Sequence, residues 1–304
     1  MTLHKGSIGY IEANKGVPYY EQAPEAVRAA RARAPHYGVC VTGIQSIEDR
    51  QIDVRDAEIN VRIYTPEGDG PFPVIMYYHG GGWVFGSPEY ADGGCRYLTA
   101  ASGAVVVSVD YRLAPEHPFP TPVNDAYDAL VWVYEHAEQL NIDRQQITLS
   151  GDSAGGNLAA VVSALSADYD GPKISQQALI YPVVDTDFTT VSYDAYGENL
   201  GLDKEGMIWF ADHYVSRADL KNPLVAPLQA KRFDHLPRTL LIAAQYDVLV
   251  DEGIRYVETL QQAGVHAERV EMAGLIHSYY SKIEFFDEET KQTAQLIADF
   301  IHQS

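Results

Sequence analysis

Five short runs of apolar residues limit the folds open to this chain more than any other feature of it. They are VIMYY (74–78), AVVVSV (104–109), ITLS (147–150), ALIYPVV (178–184) and TLLIAA (239–244). A strand that faces solvent on one side alternates apolar with polar residues. A strand that is apolar at nearly every position is covered on both faces. Segments with helical periodicity separate these runs. In TPVNDAYDALVWVYEHAEQL (121–140), Ala126, Leu130, Val133, Ala137 and Leu140 share one face, and Thr121 and Pro122 suit the N-cap and first turn. Further helices are expected over 154–167, about 250–263 and about 288–302. Strands alternating with helices define the α/β class, here a mostly parallel central sheet flanked by helices. Such sheets hold ligands at the carboxyl ends of their strands.

Two regions break the alternation. IEDRQIDV and AEINVRIYTP alternate apolar with polar, as half-exposed strands do, and PEGDGPFP after them has turn chemistry. Residues 1–45 read as helical, with the helix formers of PEAVRAARARA between Pro24 and Pro35. Residues 187–230 are rich in aromatics without a clear strand and read as mainly helical. With 1–45 they are expected to form a lid over the sheet edge.

Length and composition allow a large core: 304 residues, 46% hydrophobic and 21% charged. The formal net charge of −20 argues against nucleic acid as a partner, and no basic stripe interrupts the acidic surface. No apolar run approaches the ~20 residues that span a bilayer, so no stable membrane association is expected. The opening MTLHKGSIGYIEANKG has no apolar h-region, so a cytoplasmic location is expected. Cys40 and Cys95 make no disulfide framework, and the ten histidines have no metal-ligand spacing, so neither a metal nor a cofactor is expected.

The chemistry is concentrated in four places. ITLSGDSAGGNLAA (147–160) sets Gly151-Asp152-Ser153-Ala154-Gly155, a G-x-S-x-G, between a strand and a helix. There the sharp turn lifts a serine hydroxyl above the sheet, at a helix N-terminus that favours negative charge. Serine needs a base, and the base an orienting acid, which follow in the order acid then histidine. Asp247 comes just after the strand TLLIAA. Asp251 and Glu252 are alternatives, but they fall in the following helix, where acidic residues cap. His277 lies in a loop after a strand expected over 266–272, whereas His266 and His302 are poorly placed. The fourth place is HGGGWVFG (79–86), whose bare glycines offer backbone N–H groups to an oxyanion. With the residue after the serine, the donors would be Gly81, Gly82 and Ala154. His79 is expected to organise this loop rather than act as a base.

HGGGW, DYRLAPEHPFP (110–120), GDSAGGNLAA and YDVLVDEG together resemble the bacterial hormone-sensitive-lipase-type family of α/β hydrolases, the family IV esterases. The resemblance runs from about residue 45 to 304. It implies the α/β-hydrolase fold, a triad of Ser153, Asp247 and His277, an oxyanion hole of Gly81, Gly82 and Ala154, and no cofactor. It also implies a catalytic domain over 46–304, capped by 1–45 and by an insertion over 187–220. Two positions depart from the family: Val250 stands where arginine is common, and HSYY follows a different pattern after the histidine.

The expected activity is hydrolysis of short- to medium-chain carboxylic esters through an acyl-enzyme, with a small-molecule ester as the partner. An amide or N-acetyl hydrolase would use the same triad. A non-catalytic receptor on this scaffold would be expected to lack His277. Trp83 and Phe85 follow the glycine loop, and Trp209 and Phe210 lie in the expected cap, so these four are candidate substrate-binding residues. Arg112 and Glu116 are expected to pin a loop beneath the site. A homodimer is allowed by the sequence and not specified by it.

Overall fold

The computed structural model describes residues 1–33 and 38–303. Pro35, the expected end of the second helical stretch, lies outside them. The N-terminal stretch contains helix α1 (Lys5–Ala13), a 3-10 turn (Tyr19–Glu21) and α2 (Pro24–Ala32). Pro24 opens α2, where a missing N–H removes no helical bond.

Eight strands follow: β1 (Ile44–Val54), β2 (Ala57–Pro66), β3 (Phe72–Tyr78), β4 (Val105–Asp110), β5 (Ile142–Asp152), β6 (Gln176–Ile180), β7 (Arg238–Tyr246) and β8 (Ala267–Ile276). They form one sheet in the order β1-β2-β4-β3-β5-β6-β7-β8. The alternating β1 and β2 pair antiparallel, and β2 pairs antiparallel with β4. All later pairings are parallel. The α/β class and the strand-rich apolar runs are therefore as read from the sequence.

Between the strands lie α3 (Pro88–Ser102), α4 (Thr121–Glu135), α5 (Ala154–Asp168), α6 (Val191–Tyr196), α7 (Lys204–Tyr214) and α8 (Val250–Gln262), and α9 (Ile283–His302) follows β8. Successive residues of one strand feed two cores, as the two-residue period of a strand requires. Val74 and Met76 of β3 pack with residues of α4, α5 and α8. Ile75 and Tyr77 pack with residues of α3 and α9 on the other face.

Several boundaries differ from the sequence reading. The run 178–184 is a strand only to Ile180, because Tyr181 takes φ 34° and Pro182 has no N–H to pair. Thr121 is the first helical residue of α4, with Pro120 at the cap. That helix ends at Glu135, although Ala137 and Leu140 are still buried in the turn beyond. The last helix starts at Ile283, and β8 continues to Ile276.

Strand register brings the motifs to one edge. Tyr78 pairs with Val109 and with Gly151, Asp152 pairs with Ile180, and Tyr246 pairs with Ile276. The loop from His79, the Ser153 turn, Asp247 and His277 thus all leave the sheet at its carboxyl edge.

Candidate active site

Ser153 sits between the end of β5 and the start of α5 with φ 57° and ψ −120°, a conformation L-residues rarely adopt. The turn is tight enough that a Cβ at Gly155 would lie 1.9 Å from the Tyr78 carbonyl oxygen, so only glycine fits. The Ser153 N–H donates to the Ile180 carbonyl at 2.9 Å. The Asn157 amide donates to the carbonyls of Val183 and Val225 at 2.9 and 2.8 Å, fixing the loop after β6 against α5.

Ser153 Oγ lies 2.8 Å from His277 Nε2, and His277 Nδ1 lies 2.7 Å from Asp247 Oδ2. An ionised carboxylate only accepts, so Nδ1 carries the proton and Nε2 is left to accept from the serine hydroxyl. All three side chains are buried or nearly so. Asp247 also accepts the Leu249 N–H at 3.1 Å. The Tyr181 ring packs 4.6 Å from the His277 ring, and its hydroxyl accepts the Tyr280 N–H at 3.1 Å. The other acids point elsewhere. Asp251 accepts the Ser192 N–H at 2.8 Å, and Glu252 accepts those of Val184 and Asp185 at 2.7 and 3.1 Å. Burial pushes the Glu252 carboxyl well above the usual carboxylate range. His266 pairs with Glu268 at the surface, and His302 contacts the Ser102 carbonyl.

The glycine loop is held from below. Asp152 Oδ1 accepts the Gly80 N–H and the Tyr77 hydroxyl, both at 2.8 Å. Burial raises the Asp152 pKa against the lowering effect of those two donors. The Tyr111 hydroxyl donates to the His79 carbonyl at 2.7 Å, and the two rings stack at 4.3 Å. His79 Nδ1 lies 2.9 Å from the Gly80 carbonyl oxygen. Burial lowers the His79 pKa to about 4, so its imidazole is neutral at physiological pH. It is an organiser of the loop, as expected. Gly81 and Gly82 have φ 119° and 60°. A Cβ would lie 2.5 Å from the Phe85 carbonyl oxygen at Gly81, and 2.2 Å from the Phe210 ring at Gly82. Among the described residues nothing accepts the N–H of either glycine. The N–H of Ala154, first residue of α5, has no acceptor within its own helix.

A cavity of about 570 Å³ joins these groups; its wall includes Gly81, Gly82, Ser153 and His277. Of the four aromatics expected beside the substrate, Trp83 and Phe210 line it, while Phe85 and Trp209 do not. The Phe85 N–H closes a turn onto the Gly81 carbonyl at 2.8 Å. Its ring is buried against Tyr19, Trp209 and Phe210, with centroids 6.0, 5.6 and 5.5 Å away. Phe85 and Trp209 thus form a second row behind the wall. The sequence reading missed Tyr10, Tyr19, Tyr20 and Met207, which also line the cavity. It also missed the supports Asp152 and Tyr181. Asp152 had a signal, as the middle residue of Gly-x-Ser; Tyr181 had none beyond its place at a strand end.

Arg112 pins its segment to α4, with 2.9 and 2.7 Å contacts to Asp125, and Glu116 instead grips Arg28 of α2 at 2.8 Å. Arg28 also donates to the Val84 carbonyl at 2.7 Å, which ties α2 to the glycine loop.

This sheet order and strand-end constellation are those of an α/β hydrolase. A family model described as the alpha/beta hydrolase fold matches residues 75–281. The chain belongs to this family, and to its hormone-sensitive-lipase-type branch. Esterase LipI of Mycobacterium tuberculosis is 40% identical over 238 residues, covering 77% of this chain and 74% of that protein. An ethyl acetate hydrolase of Pseudomonas putida is 34% identical over 277 residues, covering 88% and 83%. The crystal structure of a thermostable esterase from Pseudomonas putida superposes with a TM-score of 0.92 at 31% identity, covering 100% of this chain and 99% of that one.

Proposed function

We propose that this protein is a serine carboxylesterase. The observation that carries the reading is the Ser153–His277–Asp247 hydrogen-bonded row, whose Ser153 and His277 line the same cavity as Gly81 and Gly82, with the Ala154 N–H next in the chain to the serine. In the proposed reaction Ser153 Oγ attacks the ester carbonyl carbon as His277 Nε2 takes its proton. The carbonyl oxygen becomes an oxyanion facing the three N–H donors. The C–O bond to the alcohol breaks as His277 returns the proton to the leaving oxygen. Water, deprotonated by His277, then attacks the acyl carbon; the C–Oγ bond breaks as His277 returns the proton to Ser153 Oγ, and the acid is released. The names of the relatives favour an ester over an amide, and the intact His277 favours an enzyme over a receptor.

The finer reading is a preference for short acyl chains. Trp83 and Phe210 stand at the wall beside the serine, and one relative is named for ethyl acetate. The N-terminal segment expected over 1–45 and residues 187–220 serve as the cap, supported by Tyr10, Tyr19, Leu202, Met207 and Phe210, which line the cavity. The test is kcat/KM for 4-nitrophenyl esters from acetyl to palmitoyl. A short-chain optimum is expected. An optimum at palmitoyl with activation on emulsions would overturn the chain-length reading, and no hydrolysis of any ester would overturn the activity.

A further inference from the structure

The cavity wall carries a positive charge that the proposed ester hydrolysis does not use. In a chain with net charge −20, most half-buried guanidinium groups are matched, as in Arg28–Glu116, Arg62–Asp49 and Arg112–Asp125. Arg31 is different. It is half-buried, lines the cavity, and has no carboxylate partner among the described residues. Its guanidinium lies 4.5 Å over the Phe85 ring. Stacking occupies a face of the guanidinium and leaves N–H donors at its edge.

A second cation stands close by. Lys282 Nζ lies 4.6 Å over the ring of Tyr90, a lining residue, and it too has no carboxylate partner among the described residues. The Tyr90 hydroxyl accepts from Ser281 Oγ at 3.1 Å, and Ser281 belongs to the same wall, four residues beyond His277. Burial raises the Tyr90 pKa, but the charges of Lys282 and Arg31, with hydrogen bonds from Ser281 and Lys282, leave the phenol below its ordinary value. Arg31, Tyr90 and Ser281 line the same cavity, and Lys282 lies over Tyr90. The carboxylates in the lining are already engaged. Asp152 holds Tyr77 and Gly80, and Asp203 accepts the Tyr20 hydroxyl at 3.2 Å and the Asn199 N–H at 2.9 Å.

We propose that the cavity selects esters that carry a carboxylate, which pairs with Arg31 while Lys282 and the Tyr90 and Ser281 hydroxyls support it. This deepens the esterase reading and rests on it. A carboxylate suits the planar fork of a guanidinium. The overall negative charge does not prevent its approach, because exposed charges beyond about 8 Å are screened at physiological salt.

Equal-length pairs test the idea from both sides of the ester bond: monoethyl adipate against ethyl hexanoate, and 6-acetoxyhexanoate against hexyl acetate. Hydrolysis is followed by pH-stat at physiological ionic strength in the wild type, Arg31→Gln and Lys282→Gln. In at least one pair the carboxylate substrate is expected to lead in kcat/KM by about tenfold or more, the scale of one hydrogen bond to a charged group. That lead should disappear in Arg31→Gln, shrink in Lys282→Gln and shrink in high salt. Neutral substrates leading in both pairs, or a lead that survives Arg31→Gln, would overturn the proposal. If the wild type hydrolysed none of the four, the esterase reading would fail instead. Calorimetric titration with hexanoate and hexanol would then decide. Tighter hexanoate binding that is lost in Arg31→Gln upholds the cationic wall, and equal binding refutes it.

Discussion

The floor and the covering of the cavity are built by different forces. The floor is set by hydrogen bonds at strand ends. Asp152 holds Gly80, Tyr111 holds His79, Asn157 holds Val183, and Asp247 holds His277, each at 2.7–2.9 Å. The covering segments meet mainly through rings. Tyr19 stacks on Phe210 at 5.2 Å and meets Trp209 edge-on at 5.8 Å, and Trp83 stacks on Tyr214 at 4.2 Å. Directional bonds fix atoms to tenths of an ångström, whereas aromatic contacts accept many arrangements of similar energy. Changes in the floor should therefore remove chemistry with little loss of fold. Changes in the covering should alter which substrates enter.

The sharpest test of the floor is Ser153→Ala. Loss of about 10⁶ in kcat is expected, by analogy with the serine of subtilisin's triad, with circular dichroism and thermal melting unchanged. Activity near wild type would break the comparison at its base. Asp247→Asn should cost about 10⁴, the cost of the equivalent change in trypsin, and far more than Asp251→Asn. The reverse order in steady-state assays would show that the wrong acid had been assigned. Gly82→Ala places a methyl 2.2 Å from the Phe210 ring at φ 60°. Displacing one oxyanion donor should lower kcat on the order of 10²–10³, and an unchanged kcat would exclude Gly82 as a donor.

The fourth prediction concerns pH. His79 titrates at about 4 in the fold because burial disfavours its charged form, and near 6.5 when unfolded. Between these values the unfolded chain binds more protons, so this group's contribution is fully present above pH ~6.5 and is lost as pH falls toward 4. The loss amounts to about 3 kcal/mol. Urea unfolding of His79→Asn should accordingly show less acid destabilisation over this window than the wild type. Equal pH slopes would contradict a neutral, buried His79. The smallest effect falls on the covering side. Trp83 separates the cavity from a narrow apolar void lined by Val183, Phe188, Met207 and Val215. Trp83→Ala should move the acyl optimum to longer chains, each newly buried CH₂ adding about 0.8 kcal/mol. An optimum that stays or shortens would remove Trp83 from the acyl wall.

The same contrast explains what was legible in the sequence. Strand-end chemistry leaves motifs, because Ser153 needs Gly155 two residues on and the loop at 79–86 needs bare glycine at fixed places. Parallel strands leave apolar runs. The covering has no such grammar: whether Phe85 or Phe210 faces the cavity depends on packing, so two of four aromatics were placed in the wrong row. Helix α3 has no counterpart in the sequence pattern. Its Gly93-Gly94 pair weakens the helical signal, yet a Cβ there would lie 2.1 Å from Ile283 or 2.6 Å from the Tyr280 ring. Those glycines allow close approach of the segment that opens α9, a tertiary demand invisible in local sequence. Arg31 and Lys282 lie 251 positions apart and meet near one wall only through the fold.

The central claim is that Ser153 is the nucleophile of an ester hydrolase. Treatment with an alkylphosphonate ester carrying a 4-nitrophenyl leaving group tests it directly, with intact-mass and peptide mass spectrometry. The expected result is one equivalent of 4-nitrophenol released, complete loss of activity and a single phosphonyl adduct on Ser153, with no adduct in Ser153→Ala. Inactivation with the adduct on another residue, or full esterase activity in a protein phosphonylated at Ser153, would contradict it.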